Sequence, residues 1–128
     1  MEEIRIENEK YLAVFQEYLE SYGMSRSLIE THVSNVDKYL NDYLASQMQR
    51  EMKNSVRDLE PYIKNVYCEM EQTNEETLEK FIKSMNFFYR CMHEQGLMSS
   101  QMYGLYEWLV KNNKNEWKDK EAVTHKKS

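Results

Sequence analysis

A chain of 128 residues is long enough for one domain with one sizeable hydrophobic core. Its three glycines and one proline supply too few turns for a multi-stranded sheet, and 41% apolar with 30% charged residues is not the composition of a disordered chain. The formal net charge of −5 excludes a surface that is basic overall, which is the usual means of holding nucleic acid. We therefore expect a soluble all-α fold, specifically a five- or six-helix orthogonal bundle.

The first helix is predicted from Glu7 to about Tyr22 and ends at Gly23. The residues before it are acidic, and we expect 1–7 to be a frayed or disordered lead-in. A single helical domain then covers 8–122, and 123–128 form a disordered tail. The apolar face of this helix consists of Tyr11, Leu12, Phe15, Leu19 and Tyr22.

A second helix follows a pair of serines. Either Ser25 or Ser27 can accept hydrogen bonds from backbone N–H groups at the helix start, and Glu30 stands three residues after Ser27, as in a capping box. This helix runs to about Gln47. Residues 46–54 lack clear helical periodicity, so they either prolong the second helix or form a linker, and we expect a break within them.

The start of the third helix depends on Pro61. If the helix begins at Ser55, the proline lies beyond the first turn, where it removes a hydrogen bond and kinks the helix. Proline is favoured within the first turn. We therefore expect a short turn at 55–59 and the helix proper at 60–71.

The central helix is predicted at 74–95, and the other helices are expected to cover it. Thr73 or Asn74 can cap its start, and Gly96 can adopt the left-handed conformation that ends a helix. One face carries apolar residues at three- and four-residue spacing, which predicts burial of that face. This apolar face consists of Leu78, Phe81, Ile82, Met85, Phe88, Tyr89 and Met92.

A fifth helix is expected after a short buried strap at 97–98. Ser99 or Ser100 can cap it. Three asparagines are predicted to interrupt it, after which one or two further turns are held by a buried tryptophan. The asparagines are Asn112, Asn113 and Asn115, and the tryptophan is Trp117.

The sequence lacks the motifs of several chemistries. None of the glycines has the spacing of a phosphate-binding loop, which excludes nucleotide sites of that kind. Cys68 and Cys91 form no CxxC pair, and we expect two reduced buried thiols. The three histidines show no zinc-ligand pattern. We therefore predict no metal site, no cofactor and no small-molecule substrate.

Hydropathy and charge along the chain bear on location and partners. No apolar run approaches the ~20 residues of a membrane span, and the acidic N-terminus is unlike a signal peptide. We expect a cytoplasmic protein without membrane contact. The charge is uneven, because residues 1–22 hold six acidic and two basic residues whereas residues 97–128 hold four acidic and six basic ones.

The outer face of the central helix carries a basic row with one interleaved aromatic. Its four side chains, Lys80, Lys83, Phe87 and Arg90, project within about 80° of one another, opposite the apolar face. Such a row suits a nucleic acid backbone. The alternative is a solvated face neutralised by ion pairs four residues apart. These pairs would be Glu76–Lys80, Glu79–Lys83 and Arg90–Glu94.

Phe87 is unexplained by a solvated face, so we expect it to touch another helix, a partner chain or a ligand.

The order of elements carries a resemblance to a known family. The positions that carry it are Phe15, Tyr18 and Leu19, then Gly23 to Leu28, Val36, Tyr39 and Leu40, Ser55 to Leu59, the central-helix positions from Glu76 to Tyr89, and Glu94, Gly96 and Leu97. Over roughly residues 8–98 the chain resembles the N-terminal core-binding, SAM-like domain of tyrosine recombinases and phage integrases. In that family a four- or five-helix domain clamps one face of a DNA duplex.

The resemblance implies a DNA-binding module that does not recombine DNA. The family's chemistry lies in a second domain with an arginine, a His-x-x-Arg motif and a tyrosine nucleophile, and neither His32 nor His93 stands in such a motif. We therefore expect no enzymatic activity. By the resemblance, the start of the second helix and the outer face of the central helix approach phosphates of double-stranded DNA. The residues concerned are Ser25, Arg26, Ser27, Lys80, Lys83 and Arg90.

A second interpretation is a helical protein–protein interaction module or homodimer with no nucleic-acid role. Nine methionines at helical spacing fill a core or line a partner groove, and the ten tyrosines suit interfaces as well as domain boundaries. Phe87 is the candidate contact with a partner chain in this interpretation. Salt-dependent binding to duplex DNA distinguishes the two.

Overall fold

The computed structural model describes residues 2–125, which form helices and loops without a β-strand. The α-helices are α1 (Glu2–Ser21), α2 (Arg26–Asp37), α3 (Val56–Tyr62), α4 (Glu75–Glu94) and α5 (Ser100–His125). The π-helical segment Lys38–Met48 continues α2, the π-helical segment Ile63–Tyr67 continues α3, and Met52–Asn54 is a short 3₁₀ turn. The helices pack against one another, so the predicted all-α bundle is confirmed within this part of the chain.

The α4 helix lies at the centre of the bundle and contacts α1, α2 and α5. Asn74 caps it through a reciprocal pair of hydrogen bonds with Thr77, and Gly96 follows its end with a φ of 74°. All seven residues of the predicted apolar face are buried, and Ser84 and Cys91 are buried with them. The prediction for this helix is confirmed, including its face and both ends.

The α1 helix begins at Glu2, five residues earlier than the sequence predicts, so the expected frayed lead-in is helical over residues 2–7. Its first turns are held by contacts with the segment that follows α2. The side chain of Arg5 donates to the Ser46 hydroxyl. The buried Asn8 amide donates to the backbone oxygen of Leu40 over 3.1 Å. These tertiary contacts stabilise a helix start that lacks an apolar pattern of its own.

The α2 helix is capped by Ser25, whose side chain accepts from the N–H of Leu28. The capping box predicted from Ser27 and Glu30 is wrong, because the Glu30 carboxylate pairs with Arg26 at 3.4 Å. The predicted break after this helix is confirmed, and it falls at Gln49, which has a left-handed φ of 53°.

The α3 helix begins at Val56 and carries Pro61 in its interior, so the predicted turn at 55–59 is wrong. Buried hydrogen bonds determine this start. Ser55 contacts the Tyr89 hydroxyl over 2.6 Å through its side chain, and its backbone oxygen accepts from Tyr39 over 2.6 Å. The wider π-helical segment begins two residues after the proline, at Ile63, and it ends at Tyr67 rather than at residue 71.

The α5 helix is unbroken through the asparagines that were predicted to interrupt it. Asn112 and Asn113 donate to the backbone oxygens of Trp108 and Leu109 over 2.8 Å, within the helix itself. Trp117 is completely buried, as predicted. The predicted burial of residues 97–98 is confirmed for Met98 and wrong for Leu97, which is exposed.

The helix also covers residues 123–125 of the expected disordered tail, and the remainder of that tail lies outside the described residues.

A basic groove between α4 and α5

The outer face of α4 and the adjoining face of α5 enclose a cavity of about 380 Å³. Lys80 and Lys83 reach it from α4, and Lys114 reaches it from α5. Its full lining is Glu76, Glu79, Lys80, Ile82, Lys83, Asn86 and Lys114. Two of the predicted DNA-contact residues therefore share this cavity with a lysine from another helix.

A second cavity of about 260 Å³ continues the first toward the end of α4. Asn86 lines both cavities, and its side-chain oxygen accepts from the Tyr106 hydroxyl over 2.5 Å. The second lining consists of Asn86, Arg90, Tyr103, Tyr106, Glu107, Val110 and Lys111. The two cavities form one feature, which we call the α4–α5 groove.

Only some of the charged residues that line this groove form ion pairs. The predicted Glu76–Lys80 pair is present at 3.4 Å. The predicted Glu79–Lys83 pair is replaced, because Lys118 of α5 donates to the Glu79 carboxylate over 2.7 Å and thereby lowers the pKa of Glu79. Within residues 2–125, Lys83 consequently belongs to no ion pair.

Arg90 also differs from its predicted pairing. Its predicted partner, Glu94, accepts from the Tyr18 hydroxyl over 3.2 Å. The nearby Tyr103 side chain of α5 is the main cause of a raised pKa of Arg90. The Tyr103 ring stacks on His93 with the ring centres 4.6 Å apart. Arg90 and Tyr103 thus lie together at one end of the groove.

Phe87 contacts another helix, which is one of its three predicted partners. Its ring meets the His32 ring of α2 edge to face, with the centres 5.2 Å apart. His32 is buried, and its Nδ1 atom lies 2.7 Å from the Ser84 hydroxyl. Contact within the chain therefore accounts for this aromatic on the outer face of α4.

The predicted residues at the start of α2 lie elsewhere. Arg26 lines a different cavity of about 790 Å³, between α1 and α2, and pairs there with Glu30. Glu20 and Asp37 also line it, so its surroundings are acidic. The Ser25 side chain is occupied as a helix cap, and Ser27 is exposed. The structure does not bring these three residues into the α4–α5 groove.

Sequence reasoning missed Lys111, Lys114 and Lys118, all of which lie on α5. Which side of α5 faces α4 is a tertiary property, so helical spacing within either helix alone could not pair these lysines with the α4 row. One signal was present in the sequence, namely the excess of basic residues over residues 97–128.

The described residues give little support for a nucleophilic cysteine, a metal site or a membrane-spanning helix. Burial raises the pKa of the Cys68 thiol to about 12 and that of the Cys91 thiol to about 11, so neither is a ready nucleophile near neutral pH. No cluster of three metal-ligating side chains occurs among residues 2–125. Within the same residues, every helix is too short or too polar to cross a bilayer.

The comparisons with known proteins do not place the chain in a family. No protein-family model matches it, and no curated protein or solved structure is significantly similar to it.

Proposed function

We propose that this chain is a non-catalytic module that binds the phosphate backbone of DNA in the α4–α5 groove. The main support for this proposal is the charge of the residues that line the groove. Five basic and three acidic residues line its two cavities, in a chain whose net charge is −5. The α1–α2 cavity has the opposite balance, with one basic and three acidic residues. Positive charge is therefore concentrated along one groove.

Several of these cations are available to a ligand. None of the ion pairs formed within residues 2–125 includes Lys83, Lys111 or Lys114. An unpaired lysine at a groove edge can contact a phosphate without first breaking a contact with a carboxylate. Release of counterions from the DNA then contributes to binding, which makes the affinity depend strongly on salt.

The resemblance to recombinase core-binding domains supports the same ligand. In that family helix faces clamp a DNA duplex, and the outer face of α4 is the surface that the resemblance assigns to phosphates. Lys80, Lys83 and Arg90 of that face line the groove, whereas Arg26 lies among acidic residues. We therefore place the binding surface on α4 and α5 and leave the start of α2 outside it.

Titration of a labelled DNA duplex followed by fluorescence anisotropy tests the proposal. The wild-type chain should bind at about 50 mM salt and lose most of its affinity at about 200 mM. Lys83→Glu combined with Lys114→Glu should weaken binding about tenfold or more, because two phosphate contacts become repulsive.

The matched control is Lys10→Glu combined with Lys38→Glu. It makes the same change in net charge at two exposed lysines that line neither the α4–α5 groove nor the α1–α2 cavity. The control should lose far less affinity than the groove variant. Equal losses in the two variants, or absence of salt-sensitive binding, would contradict the proposal.

A protein–protein interaction module or homodimer is the second candidate, and one observation favours it. The Trp108 side chain is 59% exposed on α5, and exposed tryptophan is typical of interfaces. Sedimentation of the wild-type chain and of Trp108→Ala tests this candidate. A dimer that this substitution dissociates, together with no DNA binding, would establish the second function in place of the first.

A further inference from the structure

The α1–α2 cavity has an apolar floor and a charged rim. Its apolar lining residues, Met24, Ile29 and Val33, pack against the core and are buried or half-buried. Its polar lining residues are all exposed, and they are Gln16, Glu20, Arg26, Glu30, Ser34 and Asp37. A small-molecule site usually fixes its ligand with polar groups set inside the cavity. Among the described residues that line this cavity, no polar side chain is buried, so the cavity is an open groove between two helices.

The α1–α2 cavity follows one face of α2 over the whole helix. Arg26 is the first residue of the helix and Asp37 is the last, and lining residues recur between them every three or four positions. This face is about 16 Å long, which corresponds to about three helical turns. A groove on a helical protein typically binds an amphipathic helix, whereas an extended peptide adds to the edge of a sheet. Residues 2–125 contain no strand, so a helix is the expected occupant.

The rim of the cavity carries acidic side chains that a partner can reach. None of the ion pairs formed within residues 2–125 includes Glu20 or Asp37. Glu30 pairs with Arg26 at 3.4 Å, but both side chains are largely exposed. Such an exposed pair contributes little to stability, so a cation of a partner can replace Arg26 beside Glu30. The charge of the rim therefore favours a cationic partner.

We propose that the α1–α2 cavity binds a basic amphipathic helix of a partner protein. The apolar face of that helix lies on the floor of the cavity, and lysines or arginines beside this face meet Glu20 of α1 and Glu30 and Asp37 of α2. The two acidic residues of α2 are seven positions apart, so they project within about 20° of each other and about 10 Å apart along the helix. Basic residues seven positions apart in the partner match this spacing. The inference is independent of DNA binding in the α4–α5 groove.

The probe is a labelled synthetic peptide of about 18 residues, with leucine at positions i, i+3, i+4 and i+7 and lysine elsewhere. Binding is measured by fluorescence anisotropy at about 50 mM salt. A peptide of the same composition in shuffled order has the same charge but no apolar face, and a third peptide carries glutamate in place of lysine. The wild-type chain should bind the amphipathic lysine peptide, bind the shuffled peptide much more weakly, and fail to bind the glutamate peptide.

Charge reversal tests whether the rim of the cavity is the contact. Glu20→Lys combined with Asp37→Lys should weaken peptide binding about tenfold or more, because two attractive contacts become repulsive. The matched control is Glu71→Lys combined with Asp119→Lys. It makes the same two substitutions at exposed residues that line neither the α1–α2 cavity nor the α4–α5 groove. The control should lose far less affinity.

A bulky side chain tests whether the peptide lies within the cavity. Ser34→Trp should weaken binding about tenfold or more by filling the space beside the apolar floor. Leu28→Trp is the matched control, because Leu28 is 50% exposed and lies about 120° around α2 from Ser34. This control should bind like the wild type. Denaturant unfolding of all four variants checks that they fold.

Several results would overturn the inference. Absence of binding by the lysine peptide, or equal binding of its shuffled form, would show that the cavity does not recognise an amphipathic helix. Equal losses in the groove variants and their controls would show that the peptide binds elsewhere. A dimer in sedimentation that Ser34→Trp dissociates would assign the cavity to a second copy of this chain. Each of these results leaves the DNA-binding proposal standing, because its own test uses DNA and the other groove.

Discussion

At the scale of single residues, the three glycines occupy equally open surroundings but two different backbone conformations. A Cβ atom would have nothing within 4 Å at Gly23, Gly96 or Gly104. The first two have φ values of 70° and 74°, whereas Gly104 lies within α5. Free space therefore permits alanine at all three positions, and only backbone conformation distinguishes them.

We expect Gly104→Ala and Gly96→Ala to change stability in opposite directions. Alanine at 104 should raise the free energy of unfolding by about 1 kcal/mol, because glycine is a poor helix former. Alanine at 96 should lower it by about 1 kcal/mol, because a Cβ atom is strained in the left-handed region. Urea unfolding of both variants measures the two changes. A loss of stability in Gly104→Ala would show that α5 is not a regular helix at this position.

Buried polar residues are the part of the core that the sequence does not reveal. Asn8, Ser55 and Ser84 are all buried, and each is hydrogen-bonded to another segment of the chain. Polar residues in a helical pattern are ordinarily placed on the solvent face. Their partners lie 32 to 52 residues away in the sequence, so no local pattern identifies them.

At the scale of helices, His32 couples α2 to α4 and gives this contact a dependence on pH. Burial lowers the pKa of His32, and the positive charge of Lys83 lowers it further. The unfolded chain takes up a proton below the ordinary histidine pKa of 6.5, whereas the folded chain resists protonation. Stability from this residue is therefore complete above that pH, and it is lost as the pH falls through and below it.

Urea unfolding at about pH 7.5 and about pH 5.5 tests this expectation. The wild-type chain should be less stable at the lower pH. His32→Gln keeps a side-chain amide that can bond to Ser84 and cannot take up a proton, so its loss between the two pH values should be smaller. An identical loss in the two proteins would show that other groups cause the whole effect.

The helices differ in how far sequence could predict them, and the reason is the source of their stability. The α4 helix was predicted with its cap, end and buried face, because Asn74, Thr77 and Gly96 are local signals beside a continuous apolar stripe. The starts of α1 and α3 were not predicted. They depend on contacts that Asn8 and Ser55 make with other segments of the chain. Helix propensity and proline position are weak against such tertiary contacts.

The candidate site was predicted in the same partial way. Helical spacing grouped Lys80, Lys83 and Arg90 correctly, because all three lie on one helix. The groove residues on α5 could be predicted only by knowing how α5 packs on α4. Prediction of the Glu79–Lys118 pair needed the same knowledge, because the i,i+4 rule considers only residues of one helix.

At the scale of the whole molecule, opposite charges are distributed over different grooves. Among the charged residues, five basic and three acidic ones line the α4–α5 groove, whereas one basic and three acidic ones line the α1–α2 cavity. Under the proposed function, such a distribution would orient a polyanion during its approach even though the net charge is −5. The sign of the net charge is therefore a poor guide to binding by this chain, and the local field is the relevant quantity.

The stability of the bundle as a whole should depend on Trp117. This completely buried residue lies in the second half of α5, and α5 contacts both α3 and the π-helical segment that follows it. Lys64 of that segment pairs with Glu116 beside the tryptophan at 2.8 Å. Trp117→Ala should lower the free energy of unfolding by about 3–5 kcal/mol, a large share of the roughly 5–15 kcal/mol typical of a domain.

Two further substitutions make this prediction specific. Trp117→Phe should cost much less than alanine, because it keeps most of the ring volume and removes a buried indole N–H that has no hydrogen-bond partner within the described residues. Trp108→Ala should change stability by less than about 0.5 kcal/mol, because this side chain is largely exposed. Urea unfolding followed by circular dichroism ranks the three variants. If Trp117→Ala were as stable as Trp108→Ala, the second half of α5 would not belong to the cooperative core, and the α4–α5 groove would lose the support on which the DNA-binding proposal depends.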